Sequence, residues 1–240
     1  MWPPTGLDTM AHWAMVAEAS VIKVNQLQSA AQAQRLAQRI DMAGVCVGDA
    51  PPCVSLAQAL AIRAAVPDLP LAVALADWRQ HTPQQIDALV QDLGASHFEF
   101  TPADVAKAPD FADDLARLQA IRCPKVANGF FLLADDLSFI DDEAPYQALQ
   151  QVGVAWFQFE IDSALDPNAK LSQASLQRVD TFLAGLPVLV GDRLQQLAGY
   201  PLAAARGFFF DLAVPKAAHN DDKAQHSWAE SQLMRLLPTR

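Results

Sequence analysis

The sequence predicts an α/β chain folded as a single (β/α)8 barrel, residues 1–240, with residues 1–19 as an N-terminal lead-in. Three observations carry this. Short apolar runs recur about eight times, each closed by a polar or acidic residue and followed by a loop and an amphipathic stretch. Such alternation joins parallel strands through right-handed crossovers. The runs are nearly continuous in apolar residues, as strands covered on both faces must be. None ends in G-x-G-x-x-G or a P-loop, which favours a closed barrel over an open nucleotide-binding sheet.

The elements follow in order. Asp8 can cap a short helix over 10–18 that covers one end of the barrel. The first strand is Val21–Asn25, and a helix over 30–40 carries Leu36 and Ile40 at helical spacing. The second strand is 44–47, followed by the turn-forming loop 48–53 and a helix capped by Ser55 that runs to Ala65. Leu71–Leu75 is the third strand. Thr82-Pro83 then pairs an N-cap with proline at the first helical position of a helix over 83–93. The fourth strand and helix are 96–100 and 111–121. The fifth strand, 125–129, precedes a segment over 130–145 with five acidic residues and no basic one, then a short helix over 146–151. The sixth strand, 154–160, leads through loop 161–170 to a helix over 172–183. Strand 187–190 with a helix from about 193, then strand 207–211 with a helix over 222–237, close the set.

At 240 residues the chain can bury a large core in one domain, and an apolar content of 52% excludes a disordered chain. A net charge of −10 argues against nucleic acid, which wants clustered Lys and Arg, and against an anionic membrane surface. No stretch approaches the roughly 20 apolar residues that span a bilayer. The start, Met1-Trp2-Pro3-Pro4, has no secretory character. Three cysteines without C-x-x-C do not look like a disulfide framework. The expected compartment is a reducing cytoplasm, with Cys53 an inert loop thiol.

Residues at the C-terminal ends of barrel strands face the mouth. Lys23, Asn25, Asp49, Glu99, Asn128, Glu160, Asp162, Asp192 and Asp211 fall at or near such ends. Neighbouring carboxylates can divide acid and base roles, and Glu160 with Glu99 or Asp162 is the expected catalytic pair. The plainer reading makes these carboxylates solvated, or bonded to Lys23, Lys125 and Arg193. The histidines at 12, 81, 97, 219 and 226 form no zinc motif, and no tight acidic motif supports Mg2+, so neither a metal nor a cofactor is expected. The aromatic runs Phe208-Phe209-Phe210 and Trp156-Phe157 read as core layers, and the acidic segment as a solvated lid or rim.

With the units aligned, the chain resembles the phosphoribosylanthranilate isomerase family of tryptophan biosynthesis. The family's K-I-C-G corresponds to Lys23-Val24-Asn25-Gln26, and its S-P-R-x-V-S to Ala50-Pro51-Pro52-Cys53-Val54-Ser55. Its V-Q-L-H-G corresponds to Phe98-Glu99-Phe100-Thr101-Pro102, and its L-L-L-D to Phe157-Gln158-Phe159-Glu160. The resemblance covers most of the chain in order and spacing. It implies an Amadori rearrangement with the base at Asn25 and the acid at Glu160. An amide is no base at neutral pH, so the site is altered. It also implies a small phosphorylated substrate held after the seventh and eighth strands, where Asp192, Arg193 and Asp211 stand, with Lys23 and Asn128 as further binding residues. Asp192 and Asp211 would repel a phosphate there, and Pro52 replaces the arginine of the second loop. Two functions follow as expectations. One is an isomerase of a sugar-phosphate or aminosugar working by carboxylate acid–base chemistry. The other is a non-catalytic barrel that binds a small metabolite or a protein partner.

Overall fold

The computed structural model describes residues 20–104, 108–132, 137–161, 172–192, 205–213 and 227–239. Eight parallel strands close into a barrel in sequence order, β1 through β8. They are β1 (Val21–Asn25), β2 (Met42–Val47), β3 (Leu71–Leu75), β4 (His97–Phe100), β5 (Lys125–Leu132), β6 (Val154–Ile161), β7 (Val188–Asp192) and β8 (Gly207–Asp211). The closing seam runs from Val21 opposite Gly207 to Asn25 opposite Asp211.

Seven described helices surround the strands. They are α1 (Ala30–Leu36), α2 (Leu56–Ala65), α3 (Pro83–Asp92), α4 (Ala108–Gln119), α5 (Ala144–Gln151), α6 (Gln173–Ala184) and α7 (Glu230–Leu236). Short 3-10 turns at Trp78–Gln80 and Ser138–Ile140 interrupt two of the loops. The expected helices over 10–18 and from 193 lie outside the described residues. Among the described residues, no helix is long and apolar enough to cross a membrane.

Local chemistry sets the boundaries. Ser55 and Thr82 each accept a hydrogen bond from the third helical amide, while Gln58 and Gln85 reach back to the cap amide. Both are capping boxes, which satisfy orphan donors reciprocally. α1 ends a turn earlier than its apolar spacing suggested, because Arg39 N–H turns to the Leu36 carbonyl. β2 starts two residues early, since Met42 pairs with Lys23. β5 continues through Phe130–Leu132, which the sequence reading placed in the acidic segment. A register shift between Ala127 and Phe130 absorbs Asn128 and Gly129 as a bulge. α4 and α5 begin earlier than expected, at Ala108 and Ala144. The final helix begins only at Glu230, because Trp228 forms a bridge with Leu212 at the end of β8.

Strand side chains alternate outward and inward. The outward set, with Val24, Val45, Val73, Phe98, Phe100, Phe157, Phe159, Phe208 and Phe210, is buried under the helices in one large cluster. At about 1.5–3 kcal/mol for each such side chain removed from water, this layer supplies most of the stabilisation. The inward set begins with a small apolar floor of Met42, Ala72 and Val126, with Trp156 packed against it. Phe209 also faces inward, its ring filling the space over Gly191. Both aromatic runs are thus core, divided between the two layers. Above the floor the inward residues turn polar. Thr82→Ala is expected to cost about 1 kcal/mol, the ordinary value for a lost N-cap, read as a lower denaturant midpoint with an unchanged slope.

Candidate active site

Lys23 is fully buried in the barrel interior, and each of its three ammonium donors has a partner. It donates to Asn25 Oδ1, to Glu99 Oε2 at 2.5 Å and to Gln158 Oε1 at 3.3 Å. Glu99 Oε1 accepts from Asn128 Nδ2 at 2.7 Å and from Gln158 Nε2 at 3.0 Å. The Asn25 amide donates to Gln158 Oε1 at 2.9 Å and to Asp211 Oδ1 at 2.8 Å. Thr101 Oγ1 donates to Asn128 Oδ1. One network therefore joins β1, β4, β5, β6 and β8 across the barrel.

Local backbone makes the room. Gly44 of β2 faces this group, and an added Cβ would lie 2.5 Å from Asn25 Oδ1 and 3.3 Å from Lys23 Nζ. The β5 bulge aims Asn128 at Glu99; Gly129 has φ 84° and would press a Cβ to 2.6 Å from Thr101 Cγ2. Directly after Asn25, Gln26 takes φ 62°, and Leu27 N–H returns to the Gly44 carbonyl. A non-glycine residue in this left-handed region costs of order 1–3 kcal/mol, and such positions concentrate at functional sites.

Burial alone would raise the Glu99 carboxyl. The Lys23 charge and the hydrogen bonds from Lys23, Asn128 and Gln158 more than offset it, so Glu99 lies below the ordinary carboxylate range and is ionised. His97 lies below Glu99 on the same strand, its Nδ1 2.9 Å from Ser96 Oγ. Burial first, then the Lys23 charge, lower the His97 pKa, with Glu99 opposing. Nearer the solvent, Glu160 is half-buried, level with Phe131 on one side and Gly191 on the other. Asp211 and Asn128 are half-buried as well.

The structure thus brings Lys23, Asn25, Glu99, Asn128 and Asp211 into one network, with Glu160 two residues above Gln158 on the same face of β6. Asp162 and Arg193 lie outside the described residues, as does the side chain of Asp192. Asp49 is exposed in the loop after β2. Lys125 donates to the carbonyls of Ile121 at 2.8 Å and Cys123 at 3.0 Å, and the carboxylate whose charge it feels is Asp87, outside the barrel mouth set. The expectation of a free Cys53 is corrected. Cys53 is bonded to Cys46, seven residues away near the C-terminal end of β2, leaving Cys123 free. Gln158 was missed by the sequence reading; its signal was the two-residue period that places it on the face of Glu160. Of the acidic segment, Asp141, Asp142 and Glu143 are exposed, and Asp141 meets Arg178 at 3.0 Å. Among the described residues, no group of three or more His, Cys, Asp or Glu could hold a metal ion.

Glu99→Gln leaves the Lys23 charge buried without its counter-ion and is expected to cost about 3–5 kcal/mol in denaturant unfolding. A carboxyl depressed in the fold gives stability that is present above its unfolded value and lost as pH falls through the folded one. Wild-type stability therefore declines as the pH drops below about 4.3, and Glu99→Gln removes part of that slope. Gly44→Ala, which forces a methyl against Asn25, is expected to destabilise by about 1–3 kcal/mol in the same measurement.

Compared by sequence, the chain matches no family model and no curated protein. Compared by structure, it is similar to phosphoribosylanthranilate isomerase from Thermus thermophilus, with a TM-score of 0.58 at 12% identity, covering 90% of this chain and 96% of that one. The isomerase from Pyrococcus furiosus gives 0.55 at 12% identity, covering 90% and 97%. A 3-hexulose-6-phosphate synthase gives 0.50 at 15% identity, covering 91% and 100%. At such identities these likenesses establish the fold: the chain is a (β/α)8 barrel of the kind found in phosphoribosylanthranilate isomerases and other barrel enzymes.

Proposed function

We propose that this barrel is a divergent relative of the phosphoribosylanthranilate isomerases and acts as an isomerase of a sugar-phosphate or aminosugar metabolite, by carboxylate acid–base chemistry. The observation that carries this reading is the polar group at the strand ends. A fixed charged layer, Lys23 with Glu99, lies under two carboxylates, Glu160 and Asp211, that sit nearer the solvent. Such an isomerisation moves a proton between adjacent carbons. It needs one group to protonate the sugar oxygen or nitrogen and another to take the carbon-bound proton.

Glu160 takes the acid role. Of the expected bases, Glu99 has both oxygens engaged by charged or amide donors, which suits an anchoring anion better than a proton acceptor. Asp211, oriented by the Asn25 amide, takes the base role in its place. Asn25 then serves as an orienting donor at the position where the resembling family carries its base. Asn128 and Lys23 act through Glu99. The chemistry asks for no metal or cofactor.

The test is turnover of a panel of aldose and ketose sugar phosphates and aminosugar phosphates, starting with phosphoribosylanthranilate followed by loss of its fluorescence. A substrate that turns over should lose about 10²–10⁴-fold in kcat with Glu160→Gln and again with Asp211→Asn. Wild-type rates in both variants would reject the assignment. A non-catalytic barrel is the second reading, favoured by the amide at Asn25 and the saturation of Glu99. Calorimetric binding of a panel member without any turnover would select it.

A further inference from the structure

We propose that Cys46 and Cys53 form a reversible thiol–disulfide site at the mouth of the barrel, served by a dithiol, whose state is transmitted along β2 to the Lys23–Asn25 group. Its regulatory meaning rests on reading that group as the working site.

Position carries the argument. Met42, Gly44 and Cys46 share the inward face of β2, so Cys46 stands one step above the glycine that makes room for Asn25 and Lys23. Cys53 comes from the exposed turn at the end of β2, and both cysteines are only half-buried, within reach of a reagent. Opening the bond leaves the loop ends in place. Val54 N–H donates to the Cys46 carbonyl at 2.7 Å, and Gly48 N–H to the Val54 carbonyl at 3.1 Å. A further tie is Gln28 Nε2, which donates to the Pro52 carbonyl at 2.8 Å. These bonds hold the sulfurs near each other after reduction, so the pair can close again. The space beside Gly48 is taken, since a Cβ there would lie 3.3 Å from Cys53 Cβ and 3.0 Å from Ala76 Cβ. Two separate thiols need more room than one bond, and the adjustment falls on Cys46 and the end of β2. From there it reaches Gly44, whose carbonyl accepts from Leu27 N–H and where an added Cβ would lie 3.1 Å from Asn25 Cα. Cys123, just before β5 at the opposite end of the barrel, takes no part.

The exchange balances in two steps. A thiolate of the dithiol attacks Cys53 Sγ; the Cys46–Cys53 bond breaks, and Cys46 leaves as a thiolate and takes a proton. The second thiol of the reagent then loses its proton and attacks its own sulfur bound to Cys53; that mixed disulfide breaks, the reagent's disulfide closes, and Cys53 leaves as a thiolate and takes a proton. Two electrons pass to the protein pair, and the dithiol is oxidised by two.

Alkylation and mass counting on the full chain test this. Protein equilibrated with oxidised glutathione and then unfolded in alkylating agent should carry one alkylated cysteine, Cys123. The same protein treated with dithiothreitol while folded should carry three, and renewed oxidation should restore one. Three in the oxidised sample, or one after native reduction, would overturn the proposal. Amide hydrogen exchange reads the coupling: exchange at Leu27 and over 44–47 should rise at least threefold in the reduced protein and in the Cys46→Ser, Cys53→Ser double variant. Unchanged exchange at Leu27 in both would refute transmission to the site. Neither readout uses turnover, so the acid–base assignment can fail while this one stands, or the reverse.

Discussion

The Lys23–Glu99 ion pair is the constraint to which the barrel interior answers. Taking two charges out of water costs several kcal/mol for each ion, and mutual attraction repays that only when every remaining donor and acceptor is met. Here each is. Asn25 and Gln158 take the other two protons of Lys23, while Asn128 and Gln158 saturate the second oxygen of Glu99. Gly44 and the bulge at Asn128-Gly129 follow from the same demand, one by vacating space and the other by aiming an amide. The outer aromatic layer provides the stability that lets the interior carry charge.

The buried Lys23–Glu99 pair also bears on where the proposed chemistry would occur. A carboxylate engaged on both oxygens and flanked by an ammonium is a fixed part of the electrostatic field. In the proposed reading the reactive carboxylates are one layer further out, at the half-buried Glu160 and Asp211. A preorganised charge beneath a reacting centre costs no reorganisation as the reaction proceeds. Fold alone does not choose among chemistries, since barrels of this type serve many. The proposed choice rests on the position of the half-buried carboxylates above the buried Lys23–Glu99 pair.

The sequence made the architecture legible, because eight apolar runs with polar ends survive without any motif. It also exposed most of the polar site: Lys23, Asn25, Glu99, Asn128, Glu160 and Asp211 all announced themselves as polar residues closing buried strands. Their partnerships were hidden, because closure brings β1 beside β8 and faces it toward β4 and β6 across the interior. Lys23 and Glu99 are 76 residues apart, a pairing that no local pattern encodes. Gln158 was passed over because an amide in an aromatic strand carries no reactive signature of its own. The Cys46–Cys53 bond escaped because an odd cysteine count speaks against a framework, yet says nothing about one pair across a turn. The last helix starts later than its pattern suggests because Trp228 reads as a helical apolar residue, while its N–H donates to the Asp211 carbonyl and its carbonyl accepts from Ala213 N–H. The length of β5 was misjudged because the bulge breaks its alternation.

The most direct measurement is the titration of the Glu99 carboxyl carbon by NMR in the folded protein. The account predicts an ionised group that remains so below the ordinary carboxylate range of about 4.3, and whose titration moves upward when Asn128 is changed to alanine. A Glu99 that titrates at or above the ordinary value in the wild type would mean that the Lys23 pair does not hold it, and the layered reading of the site would be wrong.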